Sequence, residues 1–249
     1  MPIWMQAGLW GLFAGGALLV GALVAWCVHV PQRVVASVMA FGAGVLISAL
    51  AFDLVDEAET SGGLLPTVLG FLAGAVVYVL ANVGLAERGA RHRKRSGRQQ
   101  PSEDAQAGSG SAIAVGALLD GVPESVVLGL SLLGGHGVGV PVLAAIFISN
   151  LPEGLSSAAG MKQGGRSARY VFGVWTGVAV ASGLAGLLGC LLLQGAPAEL
   201  VAGITALAAG AILTMVADTM IPEAFEDTHL YAGLIATVGF LTAFTIGRL

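Results

Sequence analysis

Charged residues are scarce in this chain of 249 residues, making up 10% of it against 56% for hydrophobic residues. A soluble globular domain carries about 25% charged residues, so this composition excludes that class. Apolar runs of about 20 residues recur along the sequence, and such a run, as a helix, spans a hydrocarbon core of about 30 Å. The sequence therefore predicts an all-α, polytopic membrane protein.

Cysteine and histidine are also scarce. Cys27 and Cys190 lie far apart in apolar stretches, which argues against a disulfide framework and a cysteine-ligated metal site. The formal net charge of −4 and the lack of a basic face argue against nucleic-acid binding. No HExxH motif is present and no histidine lies deep in a span, so we expect no enzyme and no prosthetic group. The histidines at span ends or in loops are His29, His92, His136 and His229.

Breaks at charged, proline-containing or glycine-rich stretches predict eight transmembrane helices in a single transporter domain, residues 1–249. The one long polar segment, 88–110, is too polar to bury a core, and we expect it to be a flexible loop between spans three and four. The predicted helices cover about residues 5–28, 33–57, 63–87, 111–134, 138–162, 168–194, 198–222 and 229–248.

Lysine and arginine indicate the orientation of these helices. Ten of the 11 fall on one side of the eight-span arrangement, and Arg248 alone falls on the other. By the positive-inside rule the richer side, with loop 88–110, is cytoplasmic, so both termini face outside. We expect an integral protein of a bacterial cytoplasmic membrane, in contact with the lipid bilayer, and a homodimer is an arrangement that the sequence leaves open.

Glycine, in contrast, is abundant, with 38 residues. Small residues four apart let two membrane helices approach closely. The pairs Gly11/Gly15 and Gly173/Gly177 have this spacing, and we expect them to lie at helix contacts.

An internal repeat relates the two ends of the chain. A shift of 166 residues lays 43–58 on 209–224, with Gly44 on Gly210 among the identities. In the eight-span arrangement the two stretches run in opposite directions through the membrane. An inverted repeat on either side of central helices four and five is typical of transporters, whose substrate binds near the midplane.

Three carboxylates lie near the middle of predicted spans: Asp120 and Glu124 in span four, and Glu153 in span five. A charge at that depth costs roughly 2.5–3.5 kcal/mol. No lysine, arginine or histidine lies in the middle of a predicted span, so we expect no resident cation to pair with the three acids. Protonation, hydration or a cation from outside would have to compensate for them.

Spacing places these acids with other oxygen and amide groups. Asp120 and Glu124 are four residues apart, as are Ser149 and Glu153, and Asn150 precedes Glu153 by three; such pairs share a helix face. A short glycine-rich turn joins spans four and five, so we expect them to be antiparallel neighbours. Their facing sides could then enclose one cation.

Two further features accompany this constellation. Pro123 and Pro152 each remove a backbone N–H beside a glutamate and should kink their helices, which frees carbonyl groups that can line a cavity. Acids also cluster at the predicted ends of spans two and seven, where one sign of charge concentrates the opposite ion. The predicted entrance and exit acids are Asp53, Asp56, Asp218 and Glu223.

The sequences at 120–125, Asp-Gly-Val-Pro-Glu-Ser, and at 149–154, Ser-Asn-Leu-Pro-Glu-Gly, resemble the paired motifs of the ZIP (Zrt/Irt-like protein) family of divalent metal transporters. Together with the span count and loop position, the resemblance covers essentially the whole chain. It implies eight spans, outward termini and an alternating-access carrier that imports Zn²⁺, Fe²⁺ or Mn²⁺ as its substrate.

This chain departs from the family pattern at several positions. Asp120 stands where the family has histidine, and Gly121 where it has asparagine. Span six has no acid, with Ser182 near the expected place. The resemblance thus implies one site on the three carboxylates, with Ser149 and Asn150 as weaker ligands. Carboxylate in place of imidazole favours harder ions, yet zinc remains the first expectation, with manganese or iron next.

The expected function is therefore secondary transport that imports divalent metal ions through a carboxylate site at the membrane midplane. Two alternatives remain open. Glu124 and Glu153 could instead relay protons in a carrier or channel for another substrate class, or the chain could be a non-transporting membrane sensor or scaffold.

Overall fold

The computed structural model describes residues 1–94, 100–102, 104–134 and 139–248, and in these every regular element is a helix. Arg95 and Arg98 of the predicted loop, and His136, lie outside the described residues. The α-helices are α1 (Ile3–Cys27), α2 (Gln32–Ala49), α3 (Val55–Gly62), α4 (Leu64–Leu85), α5 (Ser109–Ser131), α6 (Val140–Gln163), α7 (Ala168–Leu193), α8 (Ala198–Met215), α9 (Ile221–Thr228) and α10 (Ala232–Ile246).

Seven helical stretches in the described part of the chain are long and apolar enough to span a membrane, which agrees with an integral membrane protein. The predicted count of eight is not confirmed. The difference lies at the end of the chain, where α8, α9 and α10 join into one helical stretch of 49 residues, Ala198–Ile246. The other predicted spans correspond to stretches of 24 to 31 residues.

Helix boundaries repeat after the same shift that relates the sequences. Moving the chain by 166 residues lays α2 on α8 and α3 on α9, and the first and last residues of each pair of helices coincide. In both copies a π-helical turn joins the two helices, at Leu50–Leu54 and Val216–Met220. The residue after each second helix has a positive φ, 86° at Gly63 and 45° at His229. The internal similarity thus extends to local backbone conformation.

Glycines set the closest approaches between each of these two copies and the helix that follows the other. A Cβ on Gly44 of α2 would lie 1.8 Å from the carbonyl oxygen of Ala236 in α10, and one on Gly74 of α4 would lie 1.8 Å from that of Leu207 in α8. Both distances are below any real contact, so only glycine allows these backbones to touch. Each copy therefore packs against the helix that follows the other copy.

The four glycines predicted at helix contacts divide into two pairs. Gly11 and Gly15 of α1 do face α7, since a Cβ on Gly11 would lie 2.7 Å from the carbonyl oxygen of Ser182. The prediction is wrong for Gly173 and Gly177, which have nothing within 4 Å of an added Cβ. Those two lie on the other side of the same helix.

The predicted pairing of spans four and five is also wrong in part. The two helices, α5 and α6, make few backbone contacts with each other. α5 packs mainly on α7 and α8, whereas α6 packs mainly on α1 and α2. A short connection brings two helix ends together, but it does not force the midpoints of the two helices into contact.

Candidate functional site

The three midspan carboxylates are all buried. Asp120 and Glu124 on α5 and Glu153 on α6 expose 3%, 1% and 4% of their surface. Both helices continue through their prolines, Pro123 and Pro152, without interruption, and whether either helix is kinked there stays a prediction. Burying three acids in such apolar helices costs free energy. Basic side chains of the same protein compensate for part of that cost.

A guanidinium from the loop after α4 pairs with Asp120. Arg93 Nε lies 2.9 Å from Asp120 Oδ2, and Arg93 Nη2 lies 2.8 Å from Oδ1. This two-point pairing of planar groups is the strongest form of arginine–carboxylate hydrogen bonding. Burial acts to lower the pKa of Arg93, but the Asp120 carboxylate, together with Tyr78 and Glu153, raises it, and the net pKa lies above its ordinary value.

Span three supplies two further partners to this pair. The Tyr78 hydroxyl donates to Asp120 Oδ1 at 2.6 Å and accepts from Arg93 Nη2 at 2.8 Å. Arg93 Nη1 donates to Asn82 Oδ1 at 2.7 Å. Tyr78 and Asn82 are one helical turn apart on α4, so a single face of that helix holds both ends of the ion pair.

The next residue of the loop reaches the second helix motif. Lys94 Nζ lies 2.8 Å from Glu153 Oε2 and 3.5 Å from Asp120 Oδ2. Its side chain is 5% exposed. The ammonium group therefore lies between carboxylates on α5 and α6, where the sequence predicted a cation from outside.

These contacts correct the expectation that the protein has no cation of its own for these acids. Arg93 and Lys94 come from segment 88–110, and together with Gln100 they are buried, so the described part of that segment is not simply solvent-exposed. In the described residues, no group of three or more histidine, cysteine, aspartate or glutamate side chains is arranged to hold a metal ion. Two of the three predicted carboxylates instead face basic side chains.

Glu124 differs from the other two acids. Neither of its carboxylate oxygens has a hydrogen-bond partner among the described residues, and the same holds for Oε1 of Glu153. Glu153, Lys94 and Asp120 are close enough to act on Glu124 electrostatically. A buried polar group without a partner costs free energy, so these three oxygens mark where the site is incomplete.

The two weaker predicted ligands are engaged elsewhere. Asn150 lines the same small cavity as Asp120 and Glu153, but its amide nitrogen donates to the carbonyl of Ala14 on α1 at 2.9 Å. The Ser149 hydroxyl donates to the carbonyl of Ile146 in its own helix at 3.0 Å. Asn150 therefore keeps only its side-chain oxygen for a ligand.

The four predicted entrance and exit acids have different surroundings. Asp53 is half-buried in the first π-helical turn, Asp218 is exposed in the second, and Asp56 is exposed. Glu223 is buried and lies 2.9 Å from the hydroxyl of Ser156 on α6. Glu223 therefore contacts α6 two turns after the start of the motif on that helix.

Ser182 on α7 lies beside α5, next to the position of Asp120. Its hydroxyl would be 3.4 Å from a Cβ on Gly121, the neighbour of Asp120, and it is buried. Trp175, two helical turns before Ser182 on α7, lines the cavity beside Asp120 and Glu153. The cavity measures about 10 Å³, about the room for one water molecule.

Sequence reasoning missed several residues of this site. Tyr78 and Asn82 carried a signal, because two polar side chains four apart in an apolar span share a face. Arg93 and Lys94 carried a weaker one, a dense basic segment in a chain with three buried acids. The remaining residues, which lie beside the site through tertiary packing alone, are Gln100, Ser156, Ser157 and Trp175.

Comparison with protein families and with curated proteins does not help to interpret these features. A scan against protein-family models finds no match for the chain, and a search of curated proteins finds none either. The site is therefore interpreted from its own geometry and from the motif resemblance.

Proposed function

We propose that this protein is a secondary transporter that imports divalent metal ions, with Asp120, Glu124 and Glu153 as the binding carboxylates. The observation that carries the proposal is Glu124, a glutamate 1% exposed whose two oxygens have no partner among the described residues. Beside it, one Glu153 oxygen is equally unpartnered. Carboxyl oxygens that are buried and lack a hydrogen-bond partner are candidate ligands for a cation.

The proposed topology has eight crossings. The stretch Ala198–Ile246, at 1.5 Å per residue, is about 74 Å long, more than twice the hydrocarbon core. A turn at His229, where φ is 45°, would divide it into spans seven and eight. The segregated basic residues support a cytoplasmic location for segment 88–110 and outward termini, and the 166-residue repeat then becomes an inverted repeat of the transporter type.

The ligand set bears on which ion is carried. Carboxylate oxygens suit Mn²⁺ and also bind Zn²⁺. Zinc is the first candidate because of the motif resemblance, and manganese or iron is next because imidazole is replaced by Asp120.

Uptake into liposomes that hold the purified protein tests this proposal. We expect Zn²⁺ or Mn²⁺ to enter with the wild type, and uptake to fall to the level of empty liposomes in the Glu124→Ala/Glu153→Ala double variant. Glu199→Ala is the matched control, since Glu199 is exposed at the start of α8 and should leave uptake unchanged. Uptake that survives the double variant refutes the proposal.

A second candidate is a proton-linked carrier or channel. It is favoured by the absence, within the described residues, of any arranged metal cluster, because an unpartnered buried glutamate such as Glu124 can also carry a proton. A pH-sensitive dye inside the same liposomes separates the two. Proton flux without any divalent ion, lost in Glu124→Gln, supports the second candidate.

A further inference from the structure

The carboxylate site is filled by a part of the chain that lies outside the spans. Lys94 Nζ bridges Glu153 Oε2 and Asp120 Oδ2, at 2.8 and 3.5 Å. An ion that used the same two carboxylates would have to occupy the same place. A divalent ion beside a buried ammonium would also be repelled strongly, because charges interact with little screening in a buried site.

The docking of this segment is built into the surrounding helices. At Gly89 the chain turns with φ of 96°, which favours glycine, and the turn directs the next residues back toward the site. A Cβ on Gly116 would lie 2.4 Å from Cδ of Arg93, so the absence of a side chain there leaves room for the arginine. Both glycines are consistent with a segment that docks at a defined position on the helices.

Hydrogen bonds to the backbone hold the same segment on α6. The Ser156 hydroxyl donates to the carbonyl of Lys94. The Gln100 amide nitrogen donates to the carbonyl of Arg93 at 2.9 Å and to that of Ser157 at 3.1 Å. The segment is therefore fastened by its backbone as well as by its charges.

The docked segment nevertheless leaves the site unsatisfied. The site has three carboxylates but only two basic side chains in the described residues, and there both oxygens of Glu124 and one of Glu153 have no hydrogen-bond partner. A divalent ion bound by Glu124, Glu153 and Asp120 would engage all three carboxylates. These oxygens are therefore ligands that the docked segment leaves unused.

We infer that Arg93 and Lys94 are an internal cationic ligand of the carboxylate site, which a divalent metal ion must displace in order to bind. The inference rests on the proposed function, because it needs an ion that binds there. Metal binding and docking of the segment are then mutually exclusive. The segment compensates part of the negative charge of the empty site, and its release accompanies loading.

Trypsin cleaves after exposed lysine and arginine, so it reports directly on docking. In detergent-solubilised full-length protein, we expect cleavage after Arg93 and Lys94 to be slow and to accelerate at least fivefold with saturating Zn²⁺ or Mn²⁺, but not with K⁺ at equal ionic strength. Mass spectrometry identifies the cut. Cleavage after Lys162, an exposed residue at the end of α6, should not change and reports any general loosening.

Two variants separate docking from metal binding. Asp120→Asn removes the partner of Arg93, so cleavage after Arg93 should be fast without metal; cleavage as slow as in the wild type would show that the ion pair does not hold the segment. Glu124→Gln leaves the contacts of Arg93 and Lys94 in place, so cleavage should stay slow and metal should no longer accelerate it.

Equilibrium dialysis of the metal on the same samples distinguishes the two ways of failing. If the ion binds and cleavage after Arg93 and Lys94 is unchanged, displacement is wrong and the proposed function stands. If no ion binds, the proposed function is wrong and this inference fails with it. Lys94→Gln should lower the half-saturating metal concentration at least tenfold, whereas Arg91→Gln, at an exposed neighbour, should not; a weaker affinity in Lys94→Gln would also overturn the competition.

Discussion

Removal of the Arg93 guanidinium should destabilise the protein by about 3 kcal/mol. Breaking a buried ion pair on one side costs about 3–5 kcal/mol, because the remaining charge is left uncompensated. The low end applies to Arg93→Gln, since Asp120 keeps the Tyr78 hydroxyl at 2.6 Å and Lys94 at 3.5 Å. For a chain of this size, 1 kcal/mol shifts the unfolding midpoint by about 2–4 °C, so a drop of about 6–12 °C is expected.

A double-mutant cycle makes this prediction specific to the pair. Arg93→Gln, Asp120→Asn and the double variant are compared by thermal unfolding in detergent at one scan rate, with Arg91→Gln as the exposed control. The double variant should recover much of the loss, because a neutral pair leaves no unpaired buried charge. If the two single losses simply add, within about 0.3–0.5 kcal/mol, the reasoning is refuted.

Two further predictions concern stability alone. Glu124→Met replaces an unpartnered buried carboxyl with an apolar side chain of similar length, so the metal-free protein should gain about 1–3 kcal/mol, measured by thermal unfolding; a loss would mean that Glu124 has a stabilising partner. Gly74→Ala would place a Cβ 1.8 Å from the Leu207 carbonyl oxygen and should cost about 1–3 kcal/mol. Gly177→Ala, with nothing within 4 Å, should cost nothing, and equal effects for the two alanines would contradict the packing argument.

The helical repeat could be predicted because it is written in local sequence. Residues 43–58 and 209–224 share identities at a fixed shift, and similar local sequences adopt the same helix, π turn and helix. The number of crossings was harder to confirm, because residues 198–246 form one helical stretch. Hydropathy reports which residues suit a membrane, and it does not report where a helical chain turns.

Only the acidic residues of the candidate site could be predicted from the sequence. Burial cost identified Asp120, Glu124 and Glu153, since acids in apolar spans are expensive wherever the spans pack. Arg93 and Lys94 were missed because composition alone describes segment 88–110 as solvated, while its docking depends on a turn at Gly89 and on distant helices. The lack of a basic partner for these acids within the spans was itself a signal that a basic segment folds back onto them.

Crystals grown with Zn²⁺ or Mn²⁺ and measured at the absorption edge of that metal test the central claim most directly. The account predicts an anomalous peak about 2.0–2.2 Å from carboxylate oxygens of Glu124 and Glu153, with the Lys94 ammonium moved away from Glu153. A map with Lys94 still on Glu153 and metal bound only at surface acids would contradict it.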